Sequence, residues 1–138
     1  MYEKELVETS LGNKPADLLV KNGTLVNVYT KETYEGGVAV HDDKIAAVGT
    51  VEYLEGENTK IIDAKGNYII PGFIDAHIHP ESSAFSVPRF AQACLSRGTT
   101  GVITDFHEVG VVGGMDAIES CLEEGKETPL KFHFVVPS

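Results

Sequence analysis

Short apolar runs separated by turn residues fill the first half of the chain. The runs are short, as in 17–21, where three apolar residues stand between Asp17 and Lys21, and turn residues recur about every eight to twelve positions. The dipeptide Asn22-Gly23 predicts a hairpin turn, and Asp42-Asp43 predicts another. This pattern predicts a small β-sandwich, or half of one, over residues 16–70. A leading arm or short helix is expected at 1–15.

The apolar pattern changes to alternating strands and helices after Pro71-Gly72. We predict strands around Phe73-Ile74 and at 99–106 and 130–136, with helices at 86–97 and 114–124. Strands that alternate with helices are typical of parallel βαβ units with right-handed crossovers. The expected fold class is therefore α/β, with an N-terminal β-sandwich part.

Two histidines follow the first strand of this second half. On an extended strand His77 and His79 project from the same face, with side chains about 6 to 7 Å apart at their bases. One cation can bridge that gap, and imidazole suits zinc, iron, manganese or nickel. Pro80 ends the strand where a loop can begin. The spacing predicts that His77 and His79 are metal ligands; the alternative is an ordinary pair on a solvated strand face.

Composition narrows the classes of partner and compartment. The chain has 138 residues and 42% hydrophobic content, enough for a core but too short for a (β/α)₈ barrel of about 250 residues. A net charge of -10 without a basic cluster argues against nucleic acid and anionic membranes as partners. No signal peptide or apolar run of about 20 residues is present, so we expect a cytoplasmic protein. Cys94 and Cys121 are expected to be reduced.

The nine residues from Pro71 to His79, preceded by the strand-rich segment, resemble the first barrel strand of the metal-dependent amidohydrolase superfamily. Within it, the segments 79–83, 97–100 and 105–108 are most similar to the adenine deaminase family. The resemblance implies that 71–138 forms the first three β/α units of an incomplete, TIM-like (β/α)₈ barrel.

This resemblance also implies a reaction: metal-dependent deamination of adenine to hypoxanthine and ammonia. His77 and His79 would ligate a divalent metal (Mn, Fe or Zn), with one or two ions in the complete enzyme. Accessory contacts to metal or substrate would come from Glu81, His107 and Glu108. Asp75 would orient an imidazole without touching the metal, unless it is simply a buried structural carboxylate.

The remaining catalytic residues are unknown and expected downstream of Ser138. We therefore expect a truncated chain that is inactive alone and that forms a homo-oligomer through exposed sheet edges. The expected substrate is a small molecule, most simply a purine base. Two alternatives stay open: another amidohydrolase, dihydroorotase-like or imidazolonepropionase-like, and a non-catalytic metal-binding or assembly module.

Overall fold

The computed structural model describes residues 2–136. Backbone contacts divide the chain into two compact units, Met1–Pro71 and Gly72–Ser138. The first unit contains α1 (Tyr2–Ser10), β1 (Leu18–Asn27), β2 (Glu32–His41), β3 (Lys44–Gly49), a 3₁₀ helix (Glu52–Leu54), β4 (Lys60–Asp63) and β5 (Tyr68–Ile69). The second contains β6 (Phe73–Asp75), a 3₁₀ helix (Pro80–Ser83), α2 (Val87–Leu95), β7 (Thr99–Thr104), α3 (His107–Lys126) and β8 (Lys131–Phe134).

Strand β1 is the centre of the first unit. The sheet order is β3-β2-β1-β4, and β5 also pairs with β1. Strand β2 pairs antiparallel with both β1 and β3, whereas β4 and β5 run parallel to β1. All five described strands thus make one layer, which corresponds to half of a sandwich. The buried apolar residues packed on this layer are Ala16, Leu19, Ala39, Val51 and Leu54.

The predicted hairpin turn at Asn22-Gly23 is wrong. β1 runs through both residues, and its pairing with β2 shifts register between Val20 and Gly23. Asn22 has a φ of 58°, so the pair supplies a bulge inside the strand rather than a reversal. A Cβ on Gly23 would lie 2.5 Å from Ile69 Cδ1, so the glycine also makes room for the Ile69 side chain of β5. The turn at Asp42-Asp43 is confirmed, because it joins β2 to β3.

Three parallel strands form the sheet of the second unit, in the order β6-β7-β8. Helix α2 follows β6 and α3 follows β7, so the predicted strand and helix alternation is confirmed. Their core consists of Phe90, Ala91, Val102 and Leu130.

Helix α3 is longer than predicted. It begins at His107 instead of Gly114, so His107 and Glu108 lie in its first turn and not in a loop. Gly114 has a φ of 67° and kinks the helix. Sequence periodicity detects only the segment after this kink, because the preceding residues include two further glycines and weaken the helical pattern.

Gly72 allows β6 and β7 to approach closely. A Cβ at this position would lie 2.1 Å from Thr100 Oγ1, which no real contact permits. The Phe73 amide then donates a hydrogen bond of 2.9 Å to the Gly98 carbonyl. The absence of a side chain at Gly72 therefore lets β6, the strand that leads to the histidines, pair closely with β7.

Both cysteines are free thiols, and burial raises the pKa of each. Within residues 2–136, no helix has the length and apolar character required to cross a lipid bilayer.

Candidate metal centre

The carboxyl ends of β6 and β7 bring two polar segments to one edge of the sheet. The strands are parallel, with Asp75 paired to Val102, so the residues after them emerge on the same side. The Ile78 amide donates to the Ile103 carbonyl at 3.0 Å, which holds the first segment against the second beyond the regular strand. The segments are 77–81 and 105–108.

The imidazoles of His77 and His79 meet at their Nε2 atoms, which are 3.0 Å apart. The rings are nearly perpendicular, with an interplanar angle of 84°. Strand β6 ends at Asp75, so both histidines follow the strand rather than lying in it, contrary to the extended geometry we assumed. The chain bends there, and the side chains converge more closely than strand spacing alone allows.

Asp75 contacts the backbone of His77. Its Oδ1 accepts a hydrogen bond of 3.1 Å from the His77 amide. This bond fixes the bend after β6, so Asp75 positions the main chain that carries the histidine.

Asp105, which has no predicted role, links two imidazoles. Its Oδ1 lies 3.2 Å from His79 Nδ1 and 3.0 Å from His107 Nδ1, and it accepts a further hydrogen bond from the His107 amide at 3.2 Å. The side chain is only 10% exposed. The hydrogen bond from the His107 ring lowers the pKa of Asp105, and the same bond raises the pKa of His107. The only sequence signal for Asp105 is its position at the end of the second parallel strand.

A proton on His79 Nδ1 is favoured by the adjacent Asp105 carboxylate. The lone pair of His79 is then at Nε2, which faces His77. Asp105 thus favours the His79 tautomer whose Nε2 lone pair faces His77.

Glu81 has both carboxylate oxygens buried and without a hydrogen bond from the described residues. It lies in the 3₁₀ helix Pro80–Ser83, its side chain is 9% exposed, and neither oxygen accepts a hydrogen bond from the described residues. Oε1 is 4.0 Å from His79 Nδ1. An ionised carboxylate with no donor is costly to bury, so these oxygens fit a cation.

The strand-end cluster, defined as His77, His79, Glu81, Asp105 and His107, has the donor set of a metal site. One ligand atom from each of the last four lies within 4.8 Å of the others. Neighbouring ligands of a tetrahedral zinc ion are about 3.4 Å apart, close to the Nε2 separation of His77 and His79. The residues present therefore fit a divalent first-row metal.

Glu108 lies apart from this cluster. Ser82 Oγ is 2.9 Å and 3.0 Å from its two carboxylate oxygens, so the hydroxyl donates to Glu108. Adjacent residues in a first helical turn point in different directions, which separates Glu108 from His107. The left-handed Phe106, with φ 51°, turns the chain between β7 and this helix.

No protein-family model matches the chain. Among curated proteins, it is 44% identical to an adenine deaminase of Moorella thermoacetica and 45% identical to one of Bacillus subtilis. These alignments cover 98% and 96% of this chain but only 23% and 22% of the two relatives. The chain thus spans less than a quarter of the length of the relatives it matches.

Solved amidohydrolases share part of the fold. An N-acyl-D-glutamate deacylase from Bordetella bronchiseptica, solved with zinc and a phosphonate inhibitor, aligns at 25% identity with a TM-score of 0.56. A D-aminoacylase with a binuclear metal centre aligns at 28% identity with a TM-score of 0.52. The alignments cover 66% and 65% of this chain and 19% and 18% of the solved chains.

Proposed function

We propose that this chain, a homologue of the adenine deaminases at 42–45% identity over 98% of its length, supplies part of the metal site of a hydrolase that converts adenine to hypoxanthine and ammonia. The observation that carries this proposal is the convergence of His77 and His79 beside the unpartnered Glu81 carboxylate. Imidazole nitrogens and carboxylates in this grouping are ligands of hydrolytic metal ions.

His77 and His79 would hold the metal through Nε2. Glu81 Oε1 lies 4.0 Å from the opposite nitrogen of the His79 ring, so its side chain would have to turn toward Nε2 to add a carboxylate. Asp105 positions His79, and His107 lines the same site as an accessory ligand or substrate contact. Glu108, held by Ser82, is the second accessory candidate. A divalent cation bound here lowers the pKa of water toward neutrality, which provides a nucleophile for hydrolysis. Zinc, iron and manganese all suit the donor set, with one or two ions.

The proposed architecture is the opening of a (β/α)₈ barrel. Its support is the parallel order β6-β7-β8, with α2 and α3 as crossovers and polar ligands at the carboxyl ends of the strands. On this proposal, 71–138 contributes three β/α units, 16–70 the sheet domain and 1–15 a leading arm. A barrel needs further strands, so other chain segments must complete the substrate site.

The proposed partners are a purine base and further copies of the chain. An exposed apolar group on the first part of α3 supports self-association, because Val111, Val112 and Met115 are 84%, 90% and 65% exposed.

Hydrolysis of an amide bond, rather than deamination of a purine, is the second candidate. Its support is the similarity to a deacylase and an aminoacylase, two enzymes named for acyl amino acids rather than purines. Both candidates use the same metal ligands, so only the substrate separates them.

A chimera tests the proposal directly. Residues 1–138 would replace the matching segment of the Bacillus subtilis adenine deaminase, which is 45% identical over 132 residues. We expect the chimera to release ammonia from adenine and His77→Ala/His79→Ala to abolish this, whereas the exposed His133→Ala serves as the matched control. A folded, metal-loaded chimera that ignores adenine but cleaves an N-acyl amino acid would favour the second candidate. Loss of both activities would favour a non-catalytic metal-binding module.

A further inference from the structure

A second histidine and carboxylate group lies in the first unit. His41, at the end of β2, is 6% exposed and is surrounded by Glu5, Asp17 and Asp42. We call these four residues the helix–sheet cluster, because Glu5 comes from α1 and the others from the sheet and its turn. Leu18 pairs with Val40, so antiparallel register brings the preceding Asp17 beside His41.

The His41 ring is buried without a hydrogen bond. Neither Nδ1 nor Nε2 makes one with the described residues, although carboxylate oxygens lie close to both. A buried polar atom that lacks its hydrogen bond is costly, and such atoms commonly mark a bound water or ion. Asp17 lies at contact distance from Nδ1, so Nε2 is the nitrogen of this buried ring that lacks a close partner among the described residues.

Asp17 determines which ring nitrogen of His41 is available to bind an ion. Its Oδ2 lies 2.8 Å from His41 Nδ1 and also accepts a hydrogen bond of 2.7 Å from the Asp42 amide. A contact of 2.8 Å leaves no room for an ion between the two atoms, and the adjacent negative charge favours a proton on Nδ1. The lone pair of the neutral ring is then at Nε2.

Two other carboxylates face Nε2. Glu5 Oε2 is 3.5 Å away and Asp42 Oδ2 is 3.9 Å away. Neighbouring ligands of tetrahedral zinc are about 3.4 Å apart, so these separations need only small side-chain shifts. Asp17, His41 and Asp42 offer one ligand atom each within 4.8 Å of one another, a group that does not include Glu5, so Glu5 must move toward Asp42 to share an ion with it. The three carboxylate side chains are about half exposed, which lets an ion and its remaining water ligands enter.

We propose that the helix–sheet cluster binds a divalent transition metal of the zinc class through His41 Nε2, Glu5 and Asp42. Such an ion would join the N-terminal helix to the sheet. This site is separate from the strand-end cluster and does not depend on the proposed reaction.

Lys14 is the natural competitor. Its Nζ lies 2.7 Å from Glu5 Oε2, and this ammonium chiefly lowers the pKa of Glu5. A bound cation must share Glu5 with Lys14 or displace it. Removing the Lys14 charge should therefore strengthen metal binding, an effect that a purely structural role of the cluster would not produce.

Calorimetric titration of the 138-residue chain with Zn²⁺ tests the proposal, in a His77→Ala/His79→Ala background that removes the strand-end histidines. Two matched pairs separate ligands from mere charge: Asp42→Asn against Asp43→Asn, and Glu5→Gln against Glu8→Gln. We expect Asp42→Asn and Glu5→Gln to weaken zinc binding about tenfold or more, with little change in their controls. We expect Lys14→Met to strengthen binding about threefold.

Ring ¹⁵N spectra give a readout independent of affinity. Zinc should shift the Nε2 resonance of His41 while Nδ1 keeps its proton, and His41→Gln should abolish uptake. Equal affinities within each matched pair would overturn the proposal. So would a chain that takes up no zinc and shows both His41 nitrogens protonated, since the ring would then be an imidazolium paired with the carboxylates.

Discussion

The strand-end cluster and the helix–sheet cluster place histidine among carboxylates in two different ways. In the first, the ligands follow the ends of parallel strands, and the His77/His79 spacing is visible in the sequence. In the second, antiparallel pairing and a helix gather residues that are far apart along the chain. A short motif reveals the first kind of site, whereas only the register of the sheet reveals the second.

The two clusters also differ in which group is left unpartnered. In the strand-end cluster it is chiefly the Glu81 carboxylate, whereas in the helix–sheet cluster it is the His41 imidazole. Either group could be relieved by protonation, but four residues of the strand-end cluster each offer a ligand atom within 4.8 Å of the others, against three in the group around His41. The strand-end cluster is therefore the stronger metal candidate.

Phe106→Ala should have the largest effect, in the unit that carries the strand-end cluster. Phe106 is 1% exposed, packs against Phe132 and Phe134, and turns the chain toward His107. We expect the free energy of unfolding to fall by about 3–5 kcal/mol, measured by urea denaturation. Phe85→Ala, at a ring 57% exposed, is the control and should change little. A stable Phe106→Ala protein would show that this ring does not hold the site together.

Gly72→Ala should act on the same cluster at the strand that precedes it. The new Cβ would collide with Thr100 Oγ1, so we expect a loss of about 1–3 kcal/mol in the same assay. Thr100→Ala should recover part of that loss in the double variant, because it removes two of the three colliding atoms. Additive effects of the two substitutions would contradict the proposed collision.

Asp105→Asn should weaken metal binding chiefly through the orientation of His79, whose Nδ1 lies 3.2 Å from the Asp105 carboxylate. The amide cannot supply the charge that favours the Nδ1 proton of His79, so we expect zinc affinity to fall about 10–100-fold. The titration uses a His41→Gln background to silence the helix–sheet cluster. Asp116→Asn, at an exposed carboxylate outside the cluster, is the matched control. Equal losses in both variants would indicate a nonspecific charge effect.

Asn22→Gly should have the smallest effect, a change in the pKa of Asp63. This carboxylate lies outside both clusters, so its titration serves as a reference that does not depend on metal. The Lys65 amide and then the Asn22 side chain lower the pKa of this carboxyl group. A lowered folded pKa means that the stabilisation is present above the ordinary value of 3.8 and disappears as pH falls through the folded value. Asn22→Gly keeps the positive φ but removes the side-chain amide that donates to Asp63. We expect the pKa of Asp63 to rise, as measured by carboxyl ¹³C titration. An unchanged Asp63 titration would mean that Asn22 makes no effective hydrogen bond.

The sequence predicts those parts of the fold that depend on local pattern. The parallel βαβ order and the Asp42-Asp43 turn follow from hydrophobic periodicity and turn residues. The bulge at Asn22 could not be separated from a turn, because both use positive φ. The early start of α3 was hidden by its glycines, since a helix can be held by its surroundings against weak propensity.

In the candidate sites, too, only the residues that belong to a local sequence pattern could be predicted. His77 and His79 were predicted from spacing, and the structure brings their Nε2 atoms together. The role of Asp105 depends on the alignment of β6 with β7, which no single segment encodes. His41 looks like a lone histidine beside a turn, and its carboxylate neighbours appear only when β1, β2 and α1 are assembled.

Metal content per chain tests the central claim most directly. It would be measured by plasma mass spectrometry on a gel-filtration peak of known mass, for His41→Gln alone and combined with His77→Ala/His79→Ala. We expect about one metal ion per chain in the first protein and none in the second, because the strand-end cluster loses its two converging imidazoles. An equal metal content in both folded proteins, or none in either, would contradict a metal centre built on His77 and His79.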